Sequence, residues 1–297
     1  MSQRPSNADV VPVETVLAAR AREYLASTQD ARVLYAVGRA VLLQAPNSPE
    51  RRAVALEYLT RARAIDPKNL NVAQTLDSLE FGDWSLRLHA LLAGKPRESW
   101  ADETASLPAN ERLRALIYLA CSEYMNAENM DWGATRPRTE VERRQETVTA
   151  RRAEASLSLR LSRDWAQQAL TLADEHRGSP VYPDVFFYSH IVLGITALRD
   201  GDHATARRHL LYAPTGPVSS TPDAMLPTLG SALEQRFIVW LLKDGERERV
   251  ATYFERLATT RPDARARLQR AAKDLRDGYQ PRDYFRAASI YAPSSGL

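Results

Sequence analysis

At 297 residues, 44% of them hydrophobic, the chain has enough apolar material for a core, which excludes disorder throughout. Its 40 basic and 37 acidic residues leave a net charge of +3, too balanced for a nucleic-acid footprint unless the charge clusters on one face. Lysine occurs only at Lys68, Lys95, Lys243 and Lys273, so arginine supplies nearly all the positive charge. The single cysteine, Cys121, excludes an intrachain disulfide and agrees with a reducing compartment. No signal-peptide pattern opens the chain, and no window reaches the roughly 18 apolar residues of a membrane span. The expectation is a cytoplasmic protein without membrane or nucleic-acid partners.

Residues 1–13 are polar and read as a disordered N-terminus. From there to residue 285, apolar side chains recur at i, i+3, i+4 and no long run alternates, so one all-α domain is expected over 14–285. The first helix covers 14–25, with Val16, Leu17, Ala21, Tyr24 and Leu25 on one face.

A recurring helix-pair pattern follows. A bulky then a small residue on a first helix is followed on a second helix by a small, large, small triplet, and then by a proline. The logic is steric: two helices cross closely only where side chains are small, a large neighbour fills the gap beside them, and proline ends the helix. Residues 31–68 carry Val37-Gly38, then Ala55, Leu59, Ala62 and Pro67, with a loop lengthened through Pro46, Asn47 and Pro49. Residues 70–93 read as two short helices containing Trp84, Leu86, Leu88 and Leu91, ended by Gly94 and Pro96. Residues 111–178 form a further unit with Ala120-Cys121, then Ala166, Leu170 and Ala173. Within it, 132–162 are rich in arginine: Arg136, Arg138, Arg143, Arg144, Arg151, Arg152 and Arg160 against Glu140, Glu142, Glu146 and Glu154. This spacing predicts a solvated helix from about Thr139, laced by i, i+3 and i, i+4 ion pairs. Residues 187–220 carry Leu193-Gly194, a turn at Gly201, then Ala206, Leu210, Ala213 and Pro217. Residues 231–264 carry the turn Gly245, then Val250, Phe254, Leu257 and Pro262. Residues 286–297 are left as a tail.

These four units resemble the tetratricopeptide-repeat family. The run from Leu193-Gly194 through Gly201-Asp202 and Leu210 to Leu241-Leu242, Gly245-Glu246 and Tyr253 is also similar to a bacterial group of repeat proteins, a likeness that implies no activity. The family resemblance implies a right-handed α-solenoid of helix pairs with non-repeat insertions, acting as a protein–protein interaction scaffold without catalysis. Its ligand would be a peptide or helix on a concave wall lined by the first helix of each pair. In this register Arg32, Tyr35 and Arg39, Tyr188 and Ile191, and Gln235 and Val239 face that wall. Members that bind chaperones clamp a peptide carboxylate with lysine and asparagine there, whereas Tyr35 and Arg39 occupy the clamp positions here. The candidate partner-binding residues are Arg32, Tyr35, Arg39, Tyr188 and Gln235. Arginine and tyrosine dominate many interfaces, and the arginines favour an acidic partner. Oligomeric state is left open.

No catalytic, cofactor-binding or metal-binding constellation is present. There is no histidine pair spaced i, i+4 around a glutamate, no cysteine pair, no phosphate-binding glycine loop and no G-x-S-x-G. His203 and His209 share a helix six residues apart, which places them on opposite sides. The densest polar-aromatic cluster is Tyr182, Asp184, Phe186, Phe187, Tyr188 and His190, with Asp184 read as a helix cap. An enzyme or small-molecule binding protein with its pocket at 182–190 is the alternative reading, and an oligomeric structural protein a third. Asp131-Trp132-Gly133 reads as the close of the helix holding Tyr118 and Tyr124. Cys121 lies in an apolar run and reads as a small core residue.

Overall fold

A computed structural model describes residues 13–44, 48–135, 145–217, 226–262 and 264–279. Outside them lie the expected N-terminal disorder, the C-terminal tail, and Arg136, Arg138, Glu140, Glu142, Arg143 and Arg144. The described residues are all-α, with short 3-10 turns and no strand. No helix among them is long and apolar enough to cross a membrane. The chain divides into two compact units, Met1–Trp84 and Ser85–Leu297.

In the first unit, α1 (Val13–Ser27) is followed by α2 (Ala31–Gln44) and α3 (Pro49–Ile65), which pack on each other. Asp30 starts α2 by accepting a bond from the Arg32 amide at 2.8 Å. Ser48 starts α3 by accepting one from the Arg51 amide at 3.3 Å, with Pro49 at the first helical position. Both satisfy amides that the helix leaves without a partner. Ala31, Leu34, Leu59 and Ala62 form one core with Val72 and Leu76 of α4 (Leu70–Leu92). α4 is one helix, not two: it continues through Gly82, beside which the Arg52 guanidinium lies, donating to the Leu79 carbonyl at 3.2 Å. The expected stop at Gly94 holds, with φ at +73°.

In the second unit, a short helix, α5 (Trp100–Glu103), precedes α6 (Ala109–Thr135). Trp100 stacks on Trp165 with ring centres 6.0 Å apart. α6 pairs with α7 (Gln145–Glu175), α8 (Tyr182–Arg199) with α9 (His203–Tyr212), and α10 (Leu226–Lys243) with α11 (Arg247–Thr260). The last described helix, α12 (Arg265–Arg276), packs on α11 through Leu268, Ala271, Ala272 and Leu275. α6 runs through Asp131-Trp132-Gly133 without stopping, because a glycine flanked by helix-compatible residues weakens a helix without ending it.

The small, large, small residues on α3, α7, α9 and α11 are buried: Ala55, Leu59 and Ala62; Ala166 and Ala173; Ala206, Leu210 and Ala213; Val250, Phe254 and Leu257. Leu170 is half-buried. Gly201 and Gly245 make the tight turns with φ of +79° and +83°. The small residue of the first helix also sits at a crossing. A Cβ on Gly38 would meet Leu59 Cγ at 2.9 Å and the Ala55 carbonyl at 3.3 Å. A Cβ on Gly194 would lie 2.5 Å from the Phe237 ring and 3.2 Å from His209 Cβ. Gly194 thus meets α10 and α9 together, whereas the pair pattern alone aligns it with Ala206.

Gly194→Leu should overpack this three-helix crossing and lower stability by about 1–3 kcal/mol in urea unfolding. Because the nearest atoms are the far edge of one ring, adding Phe237→Leu should recover part of the loss. A Gly194→Leu chain with an unchanged urea midpoint would place the crossing elsewhere.

Candidate functional site

The sequence-derived candidates separate into three environments. On α2, Arg32 and Arg39 are exposed and Tyr35 is half-buried, its inner edge resting on the first unit's core. The Arg39 guanidinium lies 5.9 Å from the centre of the Tyr35 ring, within reach of a cation–π contact. Spacings of three and four residues put Arg32, Tyr35 and Arg39 on one helix face. Leu43, 75% exposed, extends that face by one turn. Among the described residues, no carboxylate lies within ion-pair distance of Arg32 or Arg39.

Tyr188 differs from the expectation. It is 4% exposed and Ile191 is fully buried, so neither lies on an open wall. The cause is packing: α10 crosses α8 and also reaches α6, where Arg236 pairs with Glu128 and donates to Met125 Sδ at 3.3 Å. Burial pushes the Tyr188 phenol far above its ordinary range, and the charge of Arg261 only partly offsets this. Gln235 and Val239 on α10 are half-buried. The structure therefore brings Arg32, Tyr35 and Arg39 together, while Tyr188 is spent on the core.

The 182–190 cluster is a packed array of rings. Tyr182 and Phe186 are 5.9 Å apart, Phe187 and Tyr188 5.1 Å, and the Arg261 guanidinium stands 5.2 Å from Phe187. α8 starts two residues before Asp184, which lies within the first turn and is not the cap. Pro183 at the second helical position explains the earlier start, since its fixed φ suits a helix's first turn.

Sequence spacing did not single out one contact. His190 of α8 and His209 of α9 face each other with their Nδ1 atoms 2.8 Å apart. The edge of Phe186 meets His190 at 4.6 Å and the Tyr212 ring stacks on it at 6.0 Å. Burial, then the mutual repulsion of the pair, lowers the His190 pKa to about 4; burial, then Arg208, lowers that of His209 to about 4. A signal existed: His190 lies one turn before Gly194 and His209 one turn after Ala206, both on the crossing between α8 and α9. Of the other three histidines, His89 lies beside Tyr118 and His203 beside Asp244. No three of the described histidine, cysteine, aspartate and glutamate side chains group as metal ligands.

A second polar cluster ties the chain before α5 to α6 and α7. Arg97 donates to Glu123 at 3.0 Å and to Ser158 at 3.2 Å and pairs with Glu154, while Asn126 donates to Ser158 at 3.0 Å. Glu123 is buried. Its role is structural, because a buried carboxylate needs a partner. No family model, curated protein or solved structure matches this chain.

Arg97→Ala should lower stability by about 3 kcal/mol, since it leaves Glu123 buried without its partner. The loss should be smaller in Arg97→Ala/Glu123→Gln, measured by urea unfolding at pH 7. Cys121 is buried, which pushes its thiol up to about 12. A disulfide reagent at pH 8 should therefore modify the native chain far more slowly than the unfolded one. Equal rates would show that Cys121 is open to solvent.

Proposed function

We propose that this chain is a tetratricopeptide-like scaffold whose α2 face binds an acidic peptide segment of a partner protein. The observation that carries the reading is the exposed Arg32, Tyr35 and Arg39 stripe, with no described carboxylate paired to its arginines. The solenoid arrangement draws support from the buried small, large, small triplets and from the order of contacts. α6, α8 and α10 touch in succession, each with its own second helix.

The chemistry follows from the stripe. Arg32 and Arg39 are seven residues apart, about 10 Å along a helix. Carboxylates three residues apart on a polyproline II segment, whose three-residue turn puts them on one face, span a similar distance, about 9 Å. The flat guanidinium of Arg39, held over Tyr35, loses less freedom on pairing with a carboxylate than an unsupported one would. Tyr35 adds apolar area between the two charges and Leu43 continues it. The net charge of +3 contributes little long-range attraction, so short-range pairing carries the selectivity.

A random peptide library selected on the purified chain should enrich sequences with two carboxylates three residues apart. A selected peptide should lose roughly tenfold or more in affinity when Arg32→Glu and Arg39→Glu are combined, with an unchanged melting temperature, and its glutamine analogue should bind as poorly. Selection of peptides without carboxylates would sink the proposal. Equal binding by the charge-reversed chain, with loss only at Arg143→Glu/Arg144→Glu, would move the site to the arginine-rich segment.

A further inference from the structure

We infer that His190 and His209 form an acid-released latch between α8 and α9. The geometry is a single short contact between two acceptor-capable nitrogens, Nδ1 to Nδ1 at 2.8 Å. Such a contact needs one proton between the nitrogens. One ring carries its hydrogen on Nδ1 and donates it. The other keeps a lone pair on Nδ1 and its hydrogen on Nε2.

The first added proton goes to the outer Nε2 of the donating ring. The ring becomes cationic, its Nδ1–H still points at the neighbour's lone pair, and the bond survives. The second must occupy the accepting Nδ1. Two N–H groups then face each other, and two positive rings lie with centres 5.1 Å apart. The latch therefore tolerates one charge and releases at two.

The surroundings sharpen this response by keeping water away. Phe186 and Tyr212 cover His190, and the Phe186 ring is itself held close against Gly216, where a Cβ would lie 2.5 Å from it. His190 is 8% exposed. On the far side, the Gly194 crossing brings Phe237 of α10 against α8, an apolar group with no charge to share. The charged neighbours are few. Asp174 of α7 favours charging of His190; Asp202, at the start of α9, favours charging of His209, and Arg208 opposes it. Arg256 of α11 approaches α9 but is engaged with the Leu211 carbonyl at 2.7 Å. Neither carboxylate forms an ion pair with the imidazoles, so burial prevails.

The direction with pH follows from the two histidine values. Both groups have folded-state pKa values near 4, below the ordinary 6.5. Above about pH 6.5 neither state binds the extra protons and the latch is fully stable. Between about 6.5 and 4 the released state takes up protons that the latched state refuses, so stability falls as pH falls. Partial exposure of His209 screens the effect, so roughly a tenfold rise in the opening equilibrium by pH 5 is the expected scale.

Imidazole NMR titration of the full chain should give His190 and His209 midpoints at least one pH unit below the ordinary imidazole value of about 6.5. Hydrogen-exchange protection factors, which remove the intrinsic pH dependence of exchange, should fall at least about tenfold in α9 between pH 7 and pH 5 while α6 and α7 hold. His190→Asn/His209→Asn replaces each ring by an amide that can still donate and accept but does not titrate. Its melting temperature should fall by about 5 °C less than the wild type's between pH 7.5 and 5, whereas His89→Asn/His203→Asn should behave as wild type. Ordinary midpoints for His190 and His209 would overturn the latch, and so would protection lost uniformly over all helices. Should the double variant fail to fold, the titration and exchange on the wild-type chain decide alone.

Discussion

The second unit depends on the burial of α8. From Phe187 to Leu198 each of its residues is buried, and it touches α6, α7, α9 and α10. A helix apolar on every side has no face to give to solvent and must be surrounded. Gly194 lets two of those neighbours approach at one level, α9 through His209 and α10 through Phe237. The same enclosure removes Tyr188 and Ile191 from any binding surface. α2 is different. Leu34 and Ala31 face the core while Arg32, Arg39 and Leu43 face water, so its outer side is available to a partner.

The helix class and the pairing partners within units were legible because close crossings demand small residues, and the spacing of alanine and glycine records them. Ala206 and Leu210, or Ala55 and Leu59, could be assigned to interfaces from position alone, and burial agrees. What spacing could not record was the third helix at the Gly194 crossing. Gly194 was assigned to one neighbour, yet it serves two. Tyr188 was placed on an open face because a pair register describes two helices and not the one that crosses them. Breaks were overread for a related reason. Gly82 and Gly133 lie inside continuous helices, because a single glycine costs only about 1 kcal/mol there and packing elsewhere along α4 and α6 outweighs it. Gly94, Gly201 and Gly245 end or turn the chain because they adopt positive φ, a property of the backbone path that composition does not disclose.

Of the candidate site, the chemistry of α2 was legible and that of α8 was not. Arg32, Tyr35 and Arg39 follow from i, i+3 and i, i+7 placement on a helix whose other side is apolar. The histidine contact required two residues 19 positions apart, on different helices, to be aligned by a crossing. Several charges form pairs between elements, the exposed Arg163 with Asp200 and Arg276 with Glu248 and Glu255, and the half-buried Arg207 with Glu246. Each such pair contributes little to stability.

Apolar spacing alone leaves the pairing of these helices degenerate, since a slip of one turn brings alanine and leucine opposite alanine and leucine again. The buried polar contacts remove that degeneracy. Ser162 donates to the Ala120 carbonyl at 2.7 Å, which aligns α7 on α6 at the Ala120-Cys121 step. Tyr253 donates to the buried Glu234 at 2.6 Å, which aligns α11 on α10. The histidine pair does the same for α9 on α8. A slip by one turn would move each of these groups about 5 Å from its partner and leave it buried without a hydrogen bond, at about 1–3 kcal/mol for a neutral group and more for a carboxylate. Of the three contacts, the one that joins a hydroxyl to a carbonyl has no group that titrates between pH 7 and pH 5. Only the contact between α8 and α9 is made of groups whose ordinary titration falls in that range, so the pair that holds α9 in register is also the one that acid can address.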